Sequence, residues 1–286
     1  MKMFKLIILF VVTFLALSDE SFAWTISDNS EGTGTNSFFS TYYSDDYHNS
    51  GNFSVKFFIG QGDESVGVYS YRLGGELAEG DELWVRVYIY APAGFDWTAT
   101  PITKLLRIVV ANPDGTGNGY HSILATRPGN YGCAGENIYG YVVTGSEMNS
   151  SQTPPPICQN MSAAGDEKFL TPGQWHTIEL YLKISSVDGV MRAWVNGELV
   201  AEYHYPTILA GGKIPIARTS NWMDHHLLGW WNGGATQDQF LYFDDLIITN
   251  ETPGSVDAHG NQMIGSTVSA SSRRLFRNVR IGEPES

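Results

Sequence analysis

The sequence predicts an all-β chain, a two-sheet β-sandwich of the jelly-roll kind with a concave cleft. Three observations predict it. The composition is rich in 31 Gly, 15 Tyr, 14 Phe and 8 Trp, and only 16% of residues are charged. Strands favour aromatic and β-branched residues, and their turns consume glycine. Apolar and polar residues alternate in stretch after stretch, and no long amphipathic helix, internal repeat or heptad pattern interrupts them. Turn signals such as NPDGTGNG at 112–119, Asp188-Gly189 and Asn196-Gly197 separate those stretches.

In chain order, the first segment is set apart. Lys2 and Lys5 precede an apolar run at 6–17, and Ser21-Phe22-Ala23 offers small residues where a signal peptidase reads. Residues 1–23 therefore read as a secretory signal peptide cleaved before Trp24, since the run is short for a bilayer span. The mature chain is then expected outside the cytoplasm, either extracellular or periplasmic, with no membrane association. Residues 24–250 form one β domain, and 251–286 a C-terminal extension ending in a further strand or tail. That tail carries a small basic cluster, Arg273, Arg274, Arg277 and Arg280.

The net charge of −13 makes the chain a poor general binder of nucleic acid or anionic membrane. Two cysteines in an exported chain, Cys133 and Cys158, read as a disulfide across a polar excursion. The prolines at 154–156 keep that excursion from being a central strand.

Strands are expected at 52–59, 67–73, 83–90, 104–111, 120–126, 138–144, 175–184, 190–195 and 198–203, after an edge strand near Trp24. The last pair occupies 227–249: a strand ending in Trp230-Trp231-Asn232-Gly233-Gly234, a turn, and a strand at 240–249. Segment 83–90 divides most clearly. Leu83, Val85, Val87 and Ile89 share one face, and Trp84, Arg86, Tyr88 and Tyr90 the other. An aromatic and basic outer face reads as a groove floor, or as a surface awaiting a second layer. Trp230 and Trp231 point to opposite faces, so one of them at most lines a cleft. Asn232 shares the face of Trp230.

Several strings, taken together, resemble a family. They are GDELWVRVYIYAPAGFDW, KLLRI, GNGYH, GQWHTIELYLKI, DGVMRAWVNGELV, LLGWWNGG, QFLYFDDLIIT and TPGSVDAHGNQMIG. Between Phe53 and Gly265 the chain resembles concanavalin A-like jelly-roll polysaccharide lyases of the heparin-lyase-I-like and alginate-lyase-like superfamily. The resemblance implies a cleft that holds an acidic polysaccharide, cleaved by β-elimination beside a uronic acid. A cation neutralises the carboxylate, a Tyr or His takes the C5 proton, and an acid protonates the leaving oxygen. The chain departs from jelly-roll alginate lyases in lacking their Gln-x-His and Tyr-Phe-Lys-Ala-Gly strings.

The candidates follow from residue chemistry. Arg107, a lone guanidinium among aliphatic residues, can bind a carboxylate with two bonds. His121 titrates near neutral pH, and Tyr139 and Tyr141 lie two apart on one strand. Either kind could transfer the proton. Arg72, Arg86 and Lys104 are further cations for the substrate, and Trp84, Tyr88 and Trp230, with Asn232, are candidate subsite walls. His225 and His226 could enter from the rim; His176 falls on an apolar face. No cofactor is required by this chemistry. Asp244 or Asp245 is the candidate ligand of a structural calcium ion. The expected partner is an acidic polysaccharide, and the protein is expected to be a monomer. Two other readings stay open: a non-catalytic, lectin-like glycan-binding protein on the same scaffold, and a glycoside hydrolase with an unrecognised carboxylate pair.

Overall fold

The computed structural model describes residues 23, 25–28, 30–31, 35–36, 41–63, 71–72, 80–96, 102–111, 119–126, 139–146, 171–183, 185, 188–204, 222–230 and 235–265. Residues 1–22 of the signal segment, Cys133, Cys158, Trp231, Asn232 and the arginine cluster at 273–280 lie outside them. Every regular element among the described residues is a strand, as the composition predicts.

Among the described residues the larger sheet has nine strands. They are β1 (Thr25–Asp28), β2 (Thr35–Asn36), β3 (Thr41–Ser44), β4 (Ser54–Ile59), β6 (Glu82–Tyr90), β10 (Trp175–Lys183), β11 (Val190–Val195), β12 (Glu198–His204) and β14 (Gln239–Thr249). Their order is β12-β11-β10-β6-β14-β4-β3-β2, with β1 also on β14. The smaller sheet joins β5 (Tyr71–Arg72), β13 (Trp222–Trp230), β7 (Ile102–Ala111), β8 (Gly119–Thr126) and β9 (Tyr139–Ser146) in the order β5-β13-β7-β8-β9. A hairpin of β15 (Ser255–Val256) and β16 (Gln262–Met263) completes the set. All strand pairings are antiparallel, and the strand order returns repeatedly to distant segments, as in a jelly-roll sandwich.

Alternation builds the interior. Leu83, Val85, Val87 and Ile89 of β6 are at most 2% exposed, and Ile178, Leu180 and Leu182 of β10 are fully buried. Each such side chain contributes about 1.5–3 kcal/mol through burial. Val55, Phe57 and Ile59 continue that face on β4, and Phe57 meets Phe243 of β14 edge-on at 5.1 Å. His176 is buried on the same face of β10, with its ring bonded to Thr171 and Asn196. Asn196 and Gly197 both adopt positive φ, which turns β11 into β12 in the sense that suits twisted strands.

The outer face of β6 departs from the expected open groove. Trp84 and Arg86 are 2% and 0% exposed. A second layer covers them, made by the hairpin of β15 and β16. Met263 and Ile264 pack with Trp84, Tyr181 and Trp194 in one buried cluster. Trp84 donates its indole N–H to the Gln262 carbonyl at 3.1 Å, and Trp194 donates to Asp257 at 2.8 Å. Residues 255–265 thus pack against the larger sheet. The strand expected to begin at 227 begins at Trp222, because pairing with β7 along its whole length outweighs the polar composition of 224–226.

Candidate functional site

The smaller sheet carries most of the residues picked out for chemistry, and its register sorts them. Directly paired residues of antiparallel strands share a face, and so do residues two apart on one strand. Arg107 on β7 stands opposite His226 on β13 and opposite Ser122 on β8. Ser122 pairs with Val143 on β9, so Tyr141 and Tyr139 belong to the same set. Asp224, two before His226, stands opposite Arg72 on β5. Trp230, four after His226, pairs with Thr103. One face of this sheet therefore carries Arg72, Arg107, Tyr139, Tyr141, Asp224, His226 and Trp230.

The other face carries aliphatic residues together with His225 and His121. Leu106, Ile108 and Val110 of β7 lie opposite Leu227, His225 and Met223. His121 pairs with Ile108 and Thr144, which puts it on this second face, away from Arg107. Lys104 lies at the bulge, where its two pairings differ: Gly229 groups it with Leu106, and Leu124 groups it with Tyr141. Leu106 is fully buried, and so is Leu105, the extra residue where the β7–β8 register shifts. His121 and Arg107, chosen on residue type, are therefore not partners across the sheet. His226 and Asp224 take the places beside Arg107 and Arg72. The signal for them is the period-two pattern Trp222, Asp224, His226, Leu228, Trp230, hidden while the strand is read from 227.

The candidates on the larger sheet have other work. Arg86 donates to the Gly265 carbonyl at 2.7 Å and to the Asp245 carbonyl at 3.2 Å. Among the described residues its Nε has no hydrogen-bond partner. Burial pulls its pKa below the ordinary guanidinium value, while Tyr88, Asp245, Glu179 and Asp244 oppose that shift. Glu179, its cross-strand neighbour, accepts the backbone N–H groups of Ile264 and Gly265 at 2.5 and 3.1 Å. Burial raises the Glu179 carboxyl to about 7, against the pull of those two N–H groups and Arg86. Trp84 and Arg86 therefore present nothing to a glycan: the hairpin needs the one for packing and the other for its backbone. Tyr88 is half-buried, with its ring 5.0 Å from the Arg86 guanidinium, and it bonds to Asn49.

The acidic pair on β14 has a defined role. Asp244 accepts the N–H groups of Asn49 and Ser50 on one oxygen and that of Asp245 on the other. Asp245 accepts the Asn49 amide and the Ser50 hydroxyl. Asp245 adopts a φ of 48° at a bulge, where β14 shifts register against β6. Burial, then the charge of Asp245, raises Asp244 to about 7. Among the described residues no three of His, Cys, Asp and Glu come together as a metal-binding group. The observed work of the pair is to hold the 49–50 loop.

A sequence model of a family described as polysaccharide lyase matches residues 25–246. No curated protein matches the chain. Among solved structures, an endo-β-1,4-glucuronan lyase from the fungus Trichoderma reesei is 11% identical, with TM-score 0.44, over 81% of this chain and 91% of that one. An alginate lyase from a Chlorella virus is 14% identical, with TM-score 0.48, over 73% of this chain and 89% of that one.

Proposed function

From the premise that the chain belongs to the polysaccharide lyase family, we propose that its substrate is a uronic-acid-containing polysaccharide, cleaved by β-elimination outside the cytoplasm. One observation carries the reading. A cation, Arg107, and two kinds of proton-transfer group, His226 and the tyrosines at 139 and 141, share one face of a four-strand stretch of sheet. β-Elimination next to a carboxylate needs that combination.

The roles follow from the chemistry. Arg107 binds the uronate carboxylate and draws charge from C5, and Arg72, opposite Asp224, is a second cation on the same face. A base, His226 or Tyr141, removes the proton from C5. The electron pair of that C–H bond becomes the C4–C5 double bond, and the C4–O bond breaks. The departing oxygen takes a proton from the acid, for which Tyr139 or Tyr141 serves. Trp230, four residues after His226 on the same strand, is the candidate to stack on a sugar ring. Export is supported by the basic start, the apolar run at 6–17 and Ser21-Phe22-Ala23.

The test is a screen of acidic polysaccharides for the ultraviolet absorbance of the new double bond. A rise with one of them, abolished in Arg107→Ala, supports the reading. Binding to such a polymer without any absorbance rise overturns it. Finding Trp24 as the first residue of protein from the culture medium tests export.

A further inference from the structure

The outer face of the larger sheet bears a second feature that the chemistry above does not use. Trp175, Tyr90, Tyr242 and Lys56 are successive cross-strand neighbours on β10, β6, β14 and β4. They form one row across the sheet, with a step of about 4.8 Å per strand. Tyr47 lies on this row, stacked on Tyr90 at 4.5 Å and edge-on to Tyr242 at 5.1 Å. Beside the row, Phe58 and Phe240 pair at 5.2 Å. Tyr47 is 39% exposed and Phe58 50% exposed, among the few large hydrophobic residues so open.

A charged pair sits between the open rings. The Lys56 ammonium lies 4.4 Å above the Phe240 ring and bonds to Asp46, and Asp46 also accepts the Tyr242 hydroxyl at 3.0 Å. The loop that presents Tyr47 is held with unusual care for an exposed segment. Ser54 donates to the Tyr47 carbonyl, Asp244 and Asp245 hold Asn49 and Ser50, and Glu31 accepts the N–H groups of Asn52 and Phe53. So many anchors fix the Tyr47 ring before any ligand arrives.

We propose that Tyr47 and Phe58, with Lys56 and Asp46 between them, form a second glycan-binding surface on the opposite sheet from Arg107. The composition favours a sugar chain over a protein partner. Flat rings match the C–H faces of pyranoses, and the charged pair offers hydroxyl groups both a donor and an acceptor. A protein interface needs a larger unbroken apolar area than two open rings interrupted by an ion pair. A rigid platform binds with little ordering cost. Engagement of one polymer at both sheets raises its effective concentration at the cleft. This inference rests on membership of the family and not on the identity of the sugar.

The experiment is affinity electrophoresis of the full chain through gels containing alginate, polygalacturonate or carboxymethylcellulose. Phe58→Ala, Tyr47→Ala and the ring-preserving Phe58→Trp are run beside it. The expected result is retardation of the wild type in at least one gel, weakened roughly threefold to tenfold in each alanine variant and kept in Phe58→Trp. Turnover of a short oligosaccharide stays unchanged in all three. Equal retardation of wild type and Phe58→Ala overturns the proposal, as does a wild type that no gel retards. Equal retardation with turnover intact removes this surface alone. Retardation lost in Phe58→Ala, with no turnover of any uronate polymer, removes the proposed cleft chemistry and keeps this surface.

Discussion

Glu179 and Arg86 face one another across β10 and β6 and grip the same short piece of backbone, the N–H groups of Ile264 and Gly265 and the carbonyl of Gly265. Two ionisable side chains, 2% and 0% exposed, stay buried with that segment supplying donors to Glu179 and an acceptor to Arg86. Gly265 lies 179 residues along the chain from Arg86 and 86 from Glu179.

Removing one partner should be costly. Glu179→Ala leaves the N–H groups of Ile264 and Gly265 without their acceptor and removes one of the carboxyl groups around Arg86. The expected loss is about 3 kcal/mol. A lower urea midpoint with an unchanged m-value is the signature in equilibrium unfolding.

A chain ending at residue 250 should lose its cooperative fold. It exposes Trp84, Tyr181 and Trp194, which Met263 and Ile264 otherwise cover. Differential scanning calorimetry should show no sharp transition, and a hydrophobic dye should bind strongly. A sharp transition near that of the full chain contradicts the covering role assigned to the hairpin.

Asp257 gives the fold an acid limit. Hydrogen bonds from Asn261, Trp194 and His259 hold its carboxyl at about 2, below the ordinary value of 3.8, despite the opposing effect of burial. A depressed pKa stabilises the fold above the unfolded value, and that stability is lost as pH falls from about 4 towards 2. The contribution is about 1 kcal/mol, because the turn around it is open to solvent. Asp257→Asn should lower stability at neutral pH and flatten the decline between pH 4 and 2, measured by urea unfolding across that range.

The register predicts a sharp contrast between two histidines. His226→Ala should lower kcat by about a hundredfold or more, since His226 stands opposite Arg107. His121→Ala, on the other face, should leave kcat within about threefold of wild type and act on stability instead. Initial rates of double-bond formation and thermal midpoints of both variants decide the matter. The reverse pattern returns the catalytic role to His121.

Much of the fold was legible in local pattern. The alternation at 83–90 and 175–184 named the aliphatic face residue by residue, since side-chain direction in a strand follows from parity alone. Asn196-Gly197 named its hairpin because few other residues accept positive φ twice in succession. The candidate site was legible only in part. Arg107 and the tyrosines stand out by type, but His226 needed the boundary of β13, and polar residues at the start of a strand look like loop.

By itself the sequence determined that the chain is all-β, where most strands run and which residues alternate together, because those properties depend on neighbours two positions apart. Tertiary structure alone decided which faces are covered. Trp84 and Arg86 read as a groove floor until Gln262–Gly265 is laid over them. It also decided the partners: His226 beside Arg107, Asp244 beneath the loop at Asn49, Glu179 at Ile264. Strand pairing and loop docking join residues distant in sequence, and no local pattern records which distant segment will satisfy a buried charge.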